Sequence, residues 1–242
     1  MENKFIFGKG NSKLNKNKKY TFANFDLPAG YSCPMADKCL AFTDKETGKI
    51  TDGKNTEFRC YAASLESVFS SVRRKVWNNF EIVKPLANKL GYKKLIEILH
   101  DQLPACHYFR IHTHGDFFNY YYLKSWIEVA KKNPHIIFYF YTKRVDFILD
   151  HATEFPENFK YTISIGGKLD HLIEPWMKTA QVVYSAEEAK NLNLEIDIDD
   201  SHAYNSEKSF CFLIHGTQAK GSQASKAWQK IKSEKNRKAE NV

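Results

Sequence analysis

The segment IIFYFYT, residues 136–142, decides the fold. All of its residues except the last are apolar or aromatic, and a short run without polar alternation is typical of a strand buried on both faces. The segments on either side, 121–133 and 144–152, have helical patterns, and Pro134 ends the first of them. A buried strand between two helices predicts a parallel sheet with crossover helices.

The same alternation of strands and helices extends along the chain in both directions. Further strands are predicted at residues 108–112, 160–165, 181–185, 194–198 and 209–215, and further helices at residues 63–83, 92–100, 185–192 and 222–232. Ser185 with Glu188 three residues later has the pattern of a capping box. The predicted fold class is α/β, as a partial (β/α) barrel or an open, mainly parallel sheet with crossover helices. A doubly wound sheet is the alternative.

Residues 1–61 are rich in Gly, Lys, Asn and Asp, and they predict an irregular segment packed on the main domain. Within it, KETGKITDGK at 45–54 has two turn signals, Thr-Gly and Asp-Gly, and predicts a small hairpin or a loop. Residues 62–232 are predicted to form the α/β domain and residues 233–242 a basic tail. We expect all three parts to belong to one structural domain.

The chain is basic, with a net charge of +8 and a pI of about 9.1. Much of the surplus lies in residues 13–20 and 226–238. Such patches favour an anionic partner, including nucleic acid, and they are also common in solvated tails. No apolar run has the length of a signal peptide or a membrane helix, so we expect a soluble intracellular protein without a membrane partner. Five cysteines in a reducing compartment argue against a disulfide framework.

Three of the cysteines, Cys33, Cys39 and Cys60, lie in the N-terminal segment with the spacing C-x5-C-x20-C. Thiolates suit zinc or iron–sulfur clusters, and three ligands leave a fourth position open for substrate. The spacing differs from the close cysteine pairs of zinc ribbons. Free, partly buried thiols are the alternative interpretation, and we assign no role to Cys106 and Cys211.

Polar segments follow the predicted strands, at the points where the strands end. In parallel α/β folds, ligands bind at the carboxyl ends of the strands. The segments after the strands are rich in His, Asp and Lys: IHTHGDF (111–117), YTKR (141–144), IGGKLDH (165–171), YSAEE (184–188), IDIDDSHA (196–203) and IHGTQ (214–218). We therefore expect several of these segments to meet at one edge of the sheet.

The first of these segments carries alternating candidates, Arg110, His112, His114 and Asp116. On a strand the four side chains share one face. They fit metal ligands, a general acid–base pair or an anion site. The alternative is that the strand ends near His112 and the rest is a polar loop.

The other segments also have two interpretations. Lys143 fits the recognition of a carboxylate or phosphate, or a surface charge at the start of a helix. Gly166 and Gly167 would let the backbone approach a ligand closely, or form an ordinary turn. The acids and the histidine of residues 197–203 fit a divalent cation or a ribose, or a solvated acidic loop.

A larger set of motifs, in order along the chain, resembles the phage and plasmid family called gene product 88. The motifs are LPAGYSCPMADKCL, KITDG, FRCYAAS, FRIHTHGDFFN, FYFYTK, ISIGGKLDH, DDSHA and LIHGTQ, and they extend from about Phe22 to Trp228. The resemblance covers nearly the whole chain. It implies the cytoplasm of a bacterial host, and it implies little about activity.

The cysteines, the Gly-Asp after a strand and FYFYTKR also look like a phage protein group related to radical SAM enzymes. In those enzymes, three cysteines hold a [4Fe–4S] cluster at the mouth of a partial barrel, and the unique iron binds S-adenosylmethionine (SAM). The resemblance implies that Cys33, Cys39 and Cys60 are the cluster ligands. Here the third cysteine is more distant in sequence than in the usual C-x3-C-x2-C pattern. The site therefore requires that residues 45–54 fold back.

The leading hypothesis is thus an iron–sulfur, radical-SAM-like enzyme that acts on an anionic or small-molecule substrate. We predict a catalytic set of His112, Asp116 and Lys143, with Arg110 and Lys143 neutralising an anionic group. The predicted cofactor-binding set is Arg110, Gly115, Gly166, Gly167, Lys168, Asp199, Asp200 and His202.

Two other hypotheses remain open. One is a basic nucleic-acid-binding protein whose cysteines hold a structural zinc or no metal. The other is a metal-dependent nuclease, which requires that six side chains reach one cation: His112, His114, Asp116, Asp199, Asp200 and His202.

Overall fold

A parallel sheet lies at the centre of the protein, in a computed structural model that describes residues 4–10 and 19–240. The strands, in chain order, are β1 (Phe22–Phe25), β2 (Ala41–Thr43), β3 (Ile50–Asp52), β4 (Tyr108–Ile111), β5 (Ile137–Thr142), β6 (Phe159–Ser164), β7 (Thr179–Val183), β8 (Glu195–Ile196) and β9 (Phe210–Leu213). The α-helices are α1 (Tyr61–Val68), α2 (Ser70–Leu86), α3 (Tyr92–Asp101), α4 (Tyr120–Lys132), α5 (Val145–His151), α6 (Ala186–Asn191), α7 (Ser201–Asn205) and α8 (Gln223–Glu240).

The main sheet has seven strands in the order β1-β4-β5-β6-β7-β9-β8, and every neighbouring pair is parallel. From β1 to β7 the strands follow one another in chain order, without the central reversal of a doubly wound sheet. Strands β1 and β8 form the two edges, so the sheet of the described chain is open. The predicted α/β class with an open, parallel sheet is confirmed.

Strand β5 places its two faces in different surroundings. Phe138 and Phe140 are fully buried in the main core, beside Trp126 of α4. Tyr139 and Tyr141 belong to the opposite face, where Tyr139 packs with Phe210. Because side chains alternate along a strand, β5 separates a helix-covered apolar core from a second, more polar face. Burial of each large core side chain stabilises the fold by about 1.5–3 kcal/mol.

Strand β1 corrects the expectation that residues 1–61 are irregular. Its four residues, FANF, pair in parallel with β4, in a register that sets Phe22 opposite Tyr108 and Phe25 opposite Ile111. All four are buried, including Asn24, whose amide donates a hydrogen bond to the Asp26 carboxylate. A four-residue strand has too few positions to show a period, which is why the sequence pattern did not indicate it.

A break at Phe69 divides the predicted helix 63–83 into α1 and α2. The Phe69 backbone is extended (φ −111°, ψ 105°). The Arg73 guanidinium donates hydrogen bonds to the carbonyls of Glu66 (2.5 Å) and Ser67 (3.4 Å). These carbonyls lie at the end of α1, where a helix leaves carbonyls unpaired, so a side chain of α2 stabilises the break.

Smaller differences concern the ends of the elements. Residues 41–43 and 50–52 form the antiparallel hairpin β2–β3, as expected for this region. Helix α8 continues to Glu240, past the predicted end at 232 and through most of the predicted tail. Residues 13–18 of the basic N-terminal run lie outside the described residues. Within the described part of the chain, no helix is long and apolar enough to cross a membrane.

Candidate functional site

A cavity of about 660 Å³ opens at the carboxyl edge of the main sheet. The ends of β4, β5, β6, β7 and β9 line it, together with the segment that contains Cys33 and Cys39 and the start of α1. Its volume lies within the range of about 300–1,000 Å³ that is common for small-molecule sites. The sheet therefore places a ligand-sized cavity where parallel α/β folds bind ligands.

The three N-terminal cysteines, Cys33, Cys39 and Cys60, all line this cavity. Burial raises the pKa of Cys33 well above its usual value, with smaller contributions from the charges of Asp116, Cys60 and Cys39. Burial also raises the pKa of Cys60 to about 12, and the Cys39 thiolate adds to this shift. The raised pKa makes the Cys33 and Cys60 thiols poor nucleophiles without a metal. Cys106 and Cys211 do not line the cavity.

The glycine segment after β6 holds the cysteine segment in place. The Lys38 amide donates a hydrogen bond to the Gly166 carbonyl (3.0 Å), and the Lys168 amide donates one to the Met35 carbonyl (2.9 Å). A β-carbon on Gly166, whose φ is +101°, would lie 3.2 Å from Lys38 Cβ. The close approach predicted for Gly166 and Gly167 is thus an approach to the cysteine segment. Lys168 points to the same segment, because its Nζ donates to the Pro34 carbonyl.

Between Cys39 and Cys60, the hairpin β2–β3 folds the chain back on itself. The amides of Glu57 and Phe58 both donate hydrogen bonds to the Lys38 carbonyl, at 2.8 and 3.2 Å. Arg59 makes a bidentate ion pair with Asp52 at the end of β3 (2.8 Å). The hairpin therefore brings the third cysteine back beside the second, despite the long interval in sequence.

A buried ion pair lies on the polar face of the sheet. Arg110 Nη1 donates a hydrogen bond to the Asp200 carboxylate (2.6 Å), and both residues line the cavity. The guanidinium carbon lies 4.7 Å from the centre of the Tyr141 ring, and the Tyr139 hydroxyl also reaches Asp200 (3.4 Å). Burial opposes the charge of Arg110, but Asp200 raises its pKa well above the usual value. Arg110 therefore stays charged.

His112 lines the cavity in a strained conformation. It has a φ of +68°, which is uncommon for a residue other than glycine. Its Nε2 lies 2.8 Å from the Tyr122 hydroxyl, whereas its buried Nδ1 has no hydrogen-bond partner among the described residues. Burial lowers the pKa of His112 to about 3, so its imidazole is neutral at neutral pH.

Asp116 and Lys143 connect the ends of the neighbouring strands β4, β5 and β6 through hydrogen bonds. The Asp116 carboxylate accepts hydrogen bonds from the Thr142 hydroxyl (2.6 Å) and from the Lys143 amide (2.9 Å). Lys143 Nζ donates to the Ser164 carbonyl (2.8 Å) and hydroxyl (3.1 Å), and to the Ile165 carbonyl (2.9 Å). Burial raises the pKa of Asp116 despite these hydrogen bonds. Both residues line the cavity, and their contacts suit the positioning of its walls.

A second buried polar cluster lies next to the cavity, and of its three side chains, Asp26, Glu66 and His114, the sequence had indicated only His114. Glu66 Oε1 accepts a hydrogen bond from the Ala29 amide (3.0 Å) and lies 3.0 Å from His114 Nδ1. Asp26 Oδ1 accepts the amides of Thr113 (2.8 Å) and His114 (3.2 Å). Asp26 follows β1, so detecting that strand in the sequence is what would have revealed it. The cluster fixes the segment around Gly115, where a β-carbon would lie 2.6 Å from Ser32 Oγ.

Five residues of the predicted cofactor-binding set do not line the cavity: Gly166, Gly167, Lys168, Asp199 and His202. The last two belong to the turn after β8. The His202 ring lies between two carboxylates, with Nδ1 2.9 Å from Asp197 and Nε2 2.9 Å from Glu195. Burial opposes its protonation, but these hydrogen bonds outweigh burial and raise its pKa. Asp199 accepts a hydrogen bond from the Ser201 amide. Both residues thus build the turn that presents Asp200.

Within the described residues, no group of three or more His, Cys, Asp or Glu side chains is arranged to hold a metal ion. The six residues required by the nuclease hypothesis are accordingly divided. His112, Asp116 and Asp200 line the cavity, whereas His114, Asp199 and His202 do not.

The fold and the site together define an α/β protein with an open, singly wound parallel sheet and a ligand-sized cavity at its carboxyl edge. The sequence profile described as "Gene product 88" matches residues 5–238. The chain therefore belongs to the gene product 88 family.

A curated relative supports this assignment. The chain is 30% identical over 125 residues to the "Gene 88 protein" of Mycobacterium phage L5. The alignment covers 48% of this chain and 46% of the relative, so the chain spans about half the length of the curated relative it matches. No solved structure matches the chain.

Proposed function

We propose that the protein is a radical-SAM-like enzyme in which Cys33, Cys39 and Cys60 hold a [4Fe–4S] cluster in the cavity wall. One observation carries the proposal: three cysteines that are distant in sequence line a single cavity at the carboxyl edge of the sheet. Cysteine thiolates are the usual ligands of such clusters. The thiolates of a cluster bind separate irons, so they need not converge on one point as the ligands of a single ion do.

The construction of the site supports a ligand role for the cysteines. The glycine segment fixes Lys38 from one side, and the returning hairpin fixes it from the other. Lys38 directly precedes Cys39, so both contacts restrict the position of that thiol. A scaffold of this kind preorganises ligands, whereas isolated core thiols require only apolar packing.

The remaining residues of the cavity have distinct tasks in this proposal. A cluster of this kind, when bound, supplies the electron that cleaves SAM. Asp116 and Lys143 hold the ends of β4, β5 and β6 together, which keeps the cavity walls fixed. His112 is neutral, and its Nδ1 has no partner among the described residues, so it can form a hydrogen bond with substrate.

Structural zinc and nucleic-acid binding remain predictions. The zinc hypothesis uses the same three cysteines and differs in the metal content it expects. The nucleic-acid hypothesis depends on the net charge of +8 and expects an affinity that falls steeply with salt. Neither one accounts for a ligand-sized cavity beside the three thiols.

The test of the proposed function is SAM cleavage by protein purified without oxygen and supplied with iron, sulfide and dithionite. We expect the wild-type protein to release methionine from SAM. The Cys60→Ser variant should release none, and the Cys211→Ser variant should match the wild type because Cys211 lies outside the cavity. Equal release by the Cys60→Ser variant, or no release by wild-type protein with a complete cluster, would contradict the proposal.

A further inference from the structure

Three polar groups in the cavity lining have hydrogen-bonding capacity that the described residues do not use. Neither the buried Tyr141 hydroxyl nor the buried His112 Nδ1 has a hydrogen-bond partner among them. The Arg110 guanidinium bonds the Asp200 carboxylate and the His112 carbonyl through Nη1 and Nε, which leaves Nη2 without a described partner. Buried polar groups in proteins are nearly always paired, so unused groups in a cavity wall point to a ligand.

The charges around the cavity restrict what that ligand can be. Among the described residues, the lining contains three cations, Arg59, Arg110 and Lys143, and three carboxylates, those of Asp116, Asp197 and Asp200. The formal charges of these side chains cancel. A cavity that recognised a phosphate or carboxylate would carry an excess of cations, so the balance favours an uncharged ligand.

The walls near the polar groups are aromatic. Tyr141 packs against Phe212, with ring centres 5.7 Å apart, and Tyr61 lies against His215 at 5.1 Å. All four residues line the cavity, as does Trp228. Aromatic walls bind the faces of planar rings, and stacking of a base on such a side chain contributes about 1–3 kcal/mol.

We infer that the cavity binds an uncharged, planar substrate of the nucleobase class, with its hydrogen-bonding edge on Arg110, Tyr141 and His112. Any reaction of this substrate rests on the proposed function, whereas its binding does not. A base offers both donors and acceptors on one edge, which matches a guanidinium, a hydroxyl and an imidazole nitrogen. Its uncharged ring suits the balanced charges of the lining.

The test is calorimetric titration of the full chain with adenosine, cytidine, guanosine and uridine. At least one nucleoside should bind, and sodium benzoate, a planar anion, should bind more weakly. The Tyr141→Phe variant keeps the ring and removes the hydroxyl. It should weaken binding about threefold to tenfold, the equivalent of one hydrogen bond. The control is Tyr31→Phe, since Tyr31 is exposed and lies outside the lining.

A stability measurement accompanies the titration. Because the Tyr141 hydroxyl has no partner among the described residues, the Tyr141→Phe variant should unfold at or above the wild-type temperature. A second variant, His112→Asn, retains a residue that tolerates a positive φ and should also weaken nucleoside binding. Absence of binding by all four nucleosides, stronger binding of benzoate, or unchanged affinity of the Tyr141→Phe variant would overturn the inference.

Two further experiments separate this inference from the cluster proposal. Wild-type protein that has not been supplied with iron and sulfide should bind the nucleoside as the reconstituted protein does, because Arg110, Tyr141 and His112 form the polar edge and no cluster is needed for it. Failure of the cluster proposal would therefore leave nucleoside binding intact. Displacement of the bound nucleoside by SAM would show that it occupies the cofactor's place, and that result would also overturn the inference.

Discussion

Substitution of Gly166 by alanine tests whether the glycine segment positions the cysteines. Gly166 has a φ of +101°, which L-residues rarely adopt, and such strain costs about 1–3 kcal/mol. The added β-carbon would also lie 3.2 Å from Lys38 Cβ, so Lys38 must shift away. Because Cys39 follows Lys38 directly, we expect the strain to loosen the attachment of Cys39 as well as lower the free energy of unfolding.

The magnitude of this loosening can be measured through thiol chemistry. If local opening at Cys39 becomes easier by about 1–2 kcal/mol, the open population rises about 5- to 30-fold. Under native conditions, Cys39 of the Gly166→Ala variant should therefore react with a thiol reagent faster by the same factor. The assay is labelling of the metal-free protein, followed residue by residue by mass spectrometry.

Gly221→Ala is the matched control. Gly221 also has a positive φ, +79°, but no described atom lies within 4 Å of the position that an added β-carbon would take. This variant should lose a similar backbone free energy in urea unfolding without a change in Cys39 labelling. Equal acceleration of Cys39 labelling in both variants, or wild-type labelling of the Gly166→Ala variant, would refute the positioning role of Gly166.

Three further predictions concern stability. The pKa of His112 in the folded protein, about 3, is below its usual value of 6.5. Between these pH values the unfolded chain binds more protons, so the free energy of unfolding falls with falling pH by up to about 1.4 kcal/mol per unit. In urea unfolding from pH 6.5 to 4.5, the His112→Asn variant should lose less of this free energy than the wild type. An unchanged pH dependence would contradict this prediction. The Asp200→Asn variant leaves Arg110 buried without its counter-charge, so its free energy of unfolding should fall by about 3–5 kcal/mol. The control is Glu97→Gln, at an exposed ion pair, which should cost less than about 1 kcal/mol. Similar losses in both variants would show that the buried pair is dispensable. Ser185 accepts a hydrogen bond from the Glu188 amide (3.0 Å) at the start of α6. The Ser185→Ala variant should therefore lower the free energy of unfolding by about 1 kcal/mol. A loss no larger than that of a surface control would argue against a capping role.

The sheet was predictable from the sequence where its strands are long or follow clear helices. Strand β5 is the clearest case, because an apolar run of six residues between two helices allows few other interpretations. Strand β1 shows the limit of this reasoning. It has four residues, and no helix precedes it among the described residues. Its place in the sheet depends on pairing with β4, more than eighty residues later. Long-range pairing of this kind leaves no periodic signal in one short segment.

The site was predictable as a set of strand ends, but the contacts within it were not. The rule that ligands bind at strand carboxyl ends selected Arg110, His112 and Lys143, and all three line the cavity, whereas their roles stay predictions. The pairing of Arg110 with Asp200 joins residues ninety positions apart. From their positions in the sequence, Asp199 and Asp200 were equally good candidates for the cavity lining. The turn after β8 separates them. Asp200 has a φ of +65° and bonds Arg110, whereas the Asp199 carboxylate accepts the Ser201 amide.

The positions of the three cysteines were only partly predictable from the sequence. Their residue type indicated a metal site, but the interval between Cys39 and Cys60 did not show whether they meet. The hairpin β2–β3 brings the chain back, through the hydrogen bonds that the Lys38 carbonyl accepts. The turn signals in residues 45–54 were therefore the part of the sequence that made the site possible.

The most direct test of the central claim is the iron and sulfide content of five single variants, each purified without oxygen and reconstituted. Wild-type protein should contain about four irons and four sulfides per chain and absorb near 400 nm, as expected of a cysteine-bound cluster. Cys33→Ser, Cys39→Ser and Cys60→Ser should each lose most of this content, while Cys106→Ser and Cys211→Ser should retain it. Full iron content in the Cys60→Ser variant, or wild-type protein that binds one zinc or no metal, would contradict the claim.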